Sequence, residues 1–146
     1  MNWNFKSYNE LTKDELYSLL RLRAEVFVVE QDCPYQDVDN KDQKALHVFA
    51  IDKNQVIAYT RIFKAGDYFQ EASIGRVVTK PSYRRTGLGQ KLMQKTIEFI
   101  EKGSISKPIR ISAQTYLIKF YESYGFKKIG IEYKEDGIPH ISMLLQ

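Results

Sequence analysis

The chain is predicted to fold as an α/β protein of the α+β type: a mixed, mostly antiparallel sheet of six to seven strands flanked by helices, with one parallel strand pair at its centre. Three observations predict it. Apolar periodicities follow one another in the order β-α-β-β-β-α-β-α-β-β, read along the sequence. The β-α-β-α-β passage in the middle needs crossover helices, and such connections join parallel strands. Turn-forming residues between strand-like runs near both ends mark antiparallel hairpins. With 146 residues, 43% apolar and 13% aromatic, the chain can bury one sizeable core, so residues 1–146 read as a single domain. A charged fraction of 27% argues against disorder.

Each element has its own signal. Trp3, Phe5 and Ser7 alternate with polar residues, as in a short first strand. In "LTKDELYSLL", Thr12 and Glu15 have the spacing of a capping box and Leu11 and Leu16 that of a hydrophobic staple. Leu16, Leu20, Ala24 and Phe27 then fall on one helical face. "EQDCPYQDVDNKDQK" lacks any period and reads as a long polar loop with room for a helical turn. "ALHVFAI" and "QVIAYTRIF" flank the turn "DKN" as a hairpin, and "ASIGRVVT" is a third strand of that group. From Gly87 a helix carries Leu88, Leu92, Met93, Ile97 and Ile100 as its apolar stripe. "PIRISA" is a strand, "TYLIKFYESYGF" a short helix ending at Gly125, and "FKKIGIEYK" and "PHISMLL" a closing hairpin around "EDG".

Charge is unevenly spread. The net charge is only +4, yet Lys80 to Arg110 is strongly basic and Glu30 to Asp42 strongly acidic. Either run is a solvated face or a site for the opposite charge. The basic run contains "VVTKPSYRRTGLGQKLMQKTIEFIEK", in which a strand breaks at Pro81 and a helix starts through Gly87 and Gly89. Glycines in a helix start are unfavourable unless something approaches the main chain closely. Free N–H groups at a helix start attract anions, and Arg84 and Arg85 add donors matched to phosphate oxygens. A pyrophosphate fits; the alternative is an ordinary glycine turn with solvated arginines. It is not a P-loop, because Gln90 follows Gly89, nor a dinucleotide fingerprint, because Leu92 stands where a third glycine belongs.

"RRTGLG" resembles the Arg/Gln-x-x-Gly-x-Gly/Ala signature of the GNAT family of N-acetyltransferases, with Arg84, Gly87 and Gly89 in the defining positions. The preceding "IGRVVT" strand, the following amphipathic helix and the later "FYESYGF" sit where that family has them. "RAEVFVVEQDCPYQDVDNKD" and "EYKEDGIPHISM" resemble its ElaA-like branch. The resemblance implies acetyl-CoA as co-substrate. Backbone donors to its pyrophosphate would be Arg85, Thr86, Gly87, Leu88, Gly89 and Gln90, assisted by Arg84. Val77 and Val78 match the strand residues that pair with the pantetheine arm, and a nearby N–H would polarise the thioester carbonyl. Tyr121 aligns with the family's general acid, the proton source for the departing thiolate; otherwise it belongs to an aromatic core with Phe120, Tyr124 and Phe126. Gln114 replaces an asparagine often found at a cofactor contact.

The implied activity is direct attack of a primary amine, on a small molecule or peptide, on acetyl-CoA. Candidate bases are Glu30, next to the acidic loop, and the histidines His47 and His140. Arg23, Arg61 and Arg76 lie in otherwise apolar elements and need anionic partners: Glu30, or a substrate carboxylate. Asp37, Asp39 and Asp42 lack the glycine of a calcium loop, so no metal is expected; bordering the acceptor site, they would favour a cationic amine. Cys33 has no local histidine and reads as structural. Competing readings are a non-catalytic acyl-CoA sensor and a nucleic-acid binder, the latter without a recognisable motif. A lone cysteine, no signal-peptide pattern and no membrane-length apolar run make a cytoplasmic location the expectation, without membrane partners. Edge strands could support a homodimer.

Overall fold

The computed structural model describes residues 1–103 and 105–146. Seven strands form one sheet: β1 (Asn2–Ser7), β2 (Leu46–Asp52), β3 (Gln55–Phe63), β4 (Ala72–Thr79), β5 (Ile109–Gln114), β6 (Lys127–Glu135) and β7 (Ile138–Leu145). Their spatial order is β1-β2-β3-β4-β5-β7-β6, and every neighbouring pair is antiparallel except β4 with β5. The helices are α1 (Lys13–Arg23), α2 (Leu88–Lys102) and α3 (Ile118–Glu122). This is the mixed sheet and element order expected from the periodicities.

Local chemistry accounts for the boundaries. The Thr12 hydroxyl accepts from Glu15 N at 3.0 Å while Glu15 accepts from Thr12 N at 2.9 Å, so both halves of the capping box close. Lys53 and Asn54, at φ 50° and 63°, form the tight turn between β2 and β3, and Asp136 and Gly137, at 52° and 78°, that between β6 and β7. Gly125, at φ 98°, ends the short helix as expected.

Two apolar clusters lie on opposite faces of the sheet. On one face α2 packs Leu88, Leu92, Met93 and Ile100 against β2 to β5 and β7. Ile97 packs against the cluster half-buried, and Thr96 joins the stripe fully buried, its hydroxyl satisfied by Leu92 O at 2.7 Å. On the other face α1 buries Leu19 and Leu22, and the segment that continues it buries Val26, against Phe49, Tyr59 and Val78. The expected face of Leu16, Leu20, Ala24 and Phe27 is thus displaced: Ala24 is exposed and the other three are half-buried. The physical cause lies in Arg23, which turns inward with no exposed surface, and in Ala24–Glu30, which continue the helix with π winding. Wider winding changes which residues face the sheet, and such segments often sit beside functional sites.

Candidate active site

The parallel pair makes the site. β4 and β5 are paired only at Ala72–Ile109 and Ser73–Arg110. Beyond them the strands part, because β4 carries an irregularity opposite Tyr59–Arg61 and Arg76 adopts φ 53°. A non-glycine residue in that region costs about 1–2 kcal/mol. Arg76 is held there by Asp37, whose Oδ1 accepts from Nε at 2.8 Å and whose carbonyl accepts from Nη2 at 3.1 Å. The opened gap is a cavity of about 400 Å³. Val77, Gln114, Leu117 and Tyr121 line it, as do Cys33, Glu135 and His140.

At the start of α2 the helical ladder begins with Lys91 N donating to Gly87 O at 3.0 Å. The N–H groups of Leu88, Gly89 and Gln90 precede that bond and have no intrahelical acceptor. Gly87 sits at φ 82°, and a Cβ built there meets only Gln90 Oε1, at 3.9 Å. The space outside the turn is therefore open, and Arg85 beside it is exposed. Donors left over by the helix, open room and a cation with no ion-pair partner among the described residues fit a diphosphate. Arg84 is differently engaged: its guanidinium grips Glu30 bidentately, at 2.7 and 2.5 Å.

Tyr121 lies on α3 at the cavity wall, 6% exposed. Its ring packs edge-on against Phe120 and Phe126, so it belongs to the aromatic cluster and to the cavity at once. Burial pushes its phenol above the ordinary tyrosine value. Its hydroxyl makes no hydrogen bond among the described residues and so can serve an incoming group. Gln114, at the end of β5, lines the same wall, with Nε2 3.5 Å from Gln31 Oε1. Val77 lines the cavity, whereas the Val78 side chain is buried against α1.

The acidic loop does not offer free negative charge to the cavity, contrary to expectation. Its aspartates are the partners of the three arginines. Arg23 donates to Asp37 at 3.0 Å and Asp42 at 2.8 Å; Arg61 donates to Asp42 at 2.8 Å and Asp39 at 2.6 Å. Arg76 closes the network on Asp37 at 2.8 Å. Burial alone would raise the Asp39 carboxyl, but Arg61 and Arg76 outweigh it and hold it at about 2. Glu30, anticipated as a partner for these arginines, is turned away to Arg84. The signal was present in the sequence as three arginines inside apolar elements and three aspartates in one loop.

Among the candidate bases, the geometry separates His140 from the other two. Glu30 is 40% exposed on its side chain, and Arg84 lowers its proton affinity. His47 is fully buried. Its Nε2 must donate to Asp42 O at 2.9 Å, because a carbonyl only accepts, which leaves Nδ1 to accept from the Tyr59 hydroxyl at 2.6 Å. Burial lowers its pKa. Neither Glu30 nor His47 lines the cavity; His140 does. Cys33 also reaches the wall, with Sγ 3.4 Å from Asp136 O, and bonds the loop to the β6–β7 turn. Among the described residues no group of three His, Cys, Asp or Glu side chains is arranged to hold a metal, and no helix is long and apolar enough to cross a membrane.

Comparison with known proteins gives a consistent answer. The family described as Acetyltransferase (GNAT) domain matches residues 9–146. Protein ElaA of Escherichia coli is 41% identical over 145 residues, covering 98% of this chain and 95% of that protein. The crystal structure of an acyl-CoA N-acyltransferase from Pseudomonas aeruginosa superposes with a TM-score of 0.94 at 40% identity, covering both chains fully. That of Escherichia coli ElaA gives 0.93 at 39%, again over the whole of both chains.

Proposed function

Because this chain belongs to the GNAT family of acyltransferases and to its ElaA-like branch, we propose that it transfers an acetyl group from acetyl-CoA to a primary amine of a small molecule or peptide by direct attack. The observation that carries this reading is the coincidence of two features at one end of the sheet. An unpaired helix start suited to a diphosphate adjoins β4, and β4 there has left β5 to open a cavity lined by Tyr121.

In this reading Arg85 to Gln90 bind the diphosphate through main-chain N–H groups. The free edge of β4 around Val77 and Val78 then supplies main-chain partners for the pantetheine arm. An N–H on that edge stabilises the oxyanion that develops on the thioester carbonyl, a contribution of about 2.7–4 kcal/mol for such donors. Tyr121 gives its phenol proton to the departing sulfur; its raised pKa keeps it protonated until negative charge develops beside it. Gln114 helps to orient the group at the cavity mouth. Arg84 acts by bracing the turn through Glu30.

The test is release of free thiol from acetyl-CoA over a varied amine library, with the acetylated amine identified by mass. Amine-dependent release is expected. Binding of acetyl-CoA with no release across the library would instead favour a non-catalytic acyl-CoA sensor. Gly89→Ala locates the binding end: its Cβ meets only Thr79 Cγ2, at 3.8 Å, so the fold tolerates it. Acetyl-CoA affinity should fall about tenfold or more as the methyl keeps phosphate from the main chain; unchanged affinity would place the diphosphate elsewhere.

A further inference from the structure

We propose that His140 is the base that takes the proton from the acceptor's ammonium, with Glu135 stabilising the imidazolium that forms; this rests on the acetyltransfer reading and adds to it the acceptor side of the reaction. His140 is 6% exposed and lines the same cavity as Tyr121. It lies on β7 directly opposite Gln114 of β5, the strand end from which the chain runs into α3 and Tyr121.

The ring is oriented on three sides. Nδ1 lies 2.7 Å from Ile138 O, and because a carbonyl only accepts, Nδ1 carries the hydrogen. The neutral ring therefore keeps its lone pair on Nε2. That atom is 3.4 Å from Glu135 Oε2, so a proton arriving there meets a carboxylate. Tyr133 stacks on the ring at 6.2 Å, and its hydroxyl is pinned 2.5 Å from Ser112 Oγ. This is the arrangement of a base fixed in one tautomer by one partner and charged favourably by another.

Other ionisable groups share the cavity wall with this pair. Asp136 is in the adjoining turn; Tyr121 of α3 and Cys33 and Tyr35 of the loop line other parts of the wall. Asp39 and Arg76 lie 3.4 Å apart and offset one another. Lys41 rests its ammonium over the Tyr68 ring at 5.5 Å. The Glu135 carboxylate has His140 as its ion-pair partner among the described residues and can also hold the incoming ammonium.

The step balances as follows. The ammonium loses one proton to His140 Nε2, and the freed nitrogen bonds to the thioester carbonyl carbon as the carbon–sulfur bond breaks. Sulfur takes the Tyr121 proton, the phenolate recovers the second proton from the new amide nitrogen, and His140 returns its proton to water. One proton is released per amide formed.

The experiment measures kcat/KM for the amine from pH 5 to 9 at saturating acetyl-CoA, in the wild type, His140→Gln and Glu135→Gln, with acetyl-CoA affinity as the check on folding. An imidazole base gives an acid limb in this range. His140→Gln should lower kcat/KM about 100-fold or more at neutral pH and abolish the limb, with acetyl-CoA affinity kept. Glu135→Gln should lower kcat/KM for the amine about tenfold or more with acetyl-CoA affinity kept, since the ammonium and the imidazolium lose the carboxylate 3.4 Å from Nε2. A reduced rate with the limb unmoved in His140→Gln would make the residue structural and overturn the assignment. If that variant does not fold, Glu135→Gln decides: Glu135 is half-exposed, and an unchanged kcat/KM for the amine in this variant overturns the proposal. A wild type that acetylates no amine would instead sink the acetyltransfer reading itself.

Discussion

Tyr121 belongs to a packed aromatic cluster and to the cavity wall at once. Its ring fills a cluster with Phe120 and Phe126, the residue also lines the cavity, and its hydroxyl makes no hydrogen bond among the described residues. Removing that hydroxyl should therefore leave the fold intact, because no internal hydrogen bond is broken. For Tyr121→Phe we expect kcat to fall about 100-fold or more while the acetyl-CoA dissociation constant changes little. A loss of less than about threefold, measured by steady-state thiol release, would remove Tyr121 from the acid role. His47 is the contrasting residue. Its type invites a catalytic reading, but both ring nitrogens are engaged by Asp42 O and the Tyr59 hydroxyl in a fully buried position. Sequence lists both residues as titratable; only their surroundings separate them, one lining the cavity and the other enclosed.

The loop between α1 and β2 is anchored by ion pairs rather than by an apolar core of its own. Asp42 Oδ1 accepts from both Arg23 and Arg61 at 2.8 Å, and those guanidiniums are 0% and 1% exposed. Removing one carboxylate leaves two buried cations short of a partner, which costs about 3–5 kcal/mol. Asp42→Ala is expected to lower the urea midpoint accordingly at an unchanged m-value. Glu101→Ala, which breaks the exposed pair with Lys107 at 3.8 Å, should cost less than about 1 kcal/mol. Equal midpoints for the two variants would show the buried network to be unimportant. The same network holds Arg76 in its bent conformation, so it shapes the cavity wall as well as the loop. Composition made a charged loop visible, but not the direction in which its charges point.

At the scale of the whole molecule, these buried charges set the response to acid. Unfolded aspartate titrates near 3.9, whereas folded Asp39 is held at about 2 and Asp42 is also lowered. Their stabilisation is complete above the unfolded value and is lost as pH falls through the folded one. His47 is neutral in the fold and its pKa is lowered by burial, so the unfolded chain takes up its proton first, near pH 6.5. Stability should rise with pH from about 2 to about 6.5 and then level off; a flat profile of urea midpoints below pH 5 would contradict this. The strand and helix order, the hairpin turns, the capping box at Thr12 and the glycine turn before α2 were legible in the sequence, because each is fixed by residues a few positions apart. The face of α1 was not, because π winding and an inward Arg23 depend on a loop that follows later in the chain. The same holds for the site. Sequence alone determined a GNAT-like sheet with a glycine-containing helix start after its central strand; tertiary structure decided which charges cancel one another and which histidine reaches the cavity. Those outcomes depend on contacts between groups far apart in the chain, such as Glu30 with Arg84 and Cys33 with Asp136, and periodicity carries no record of distance in space.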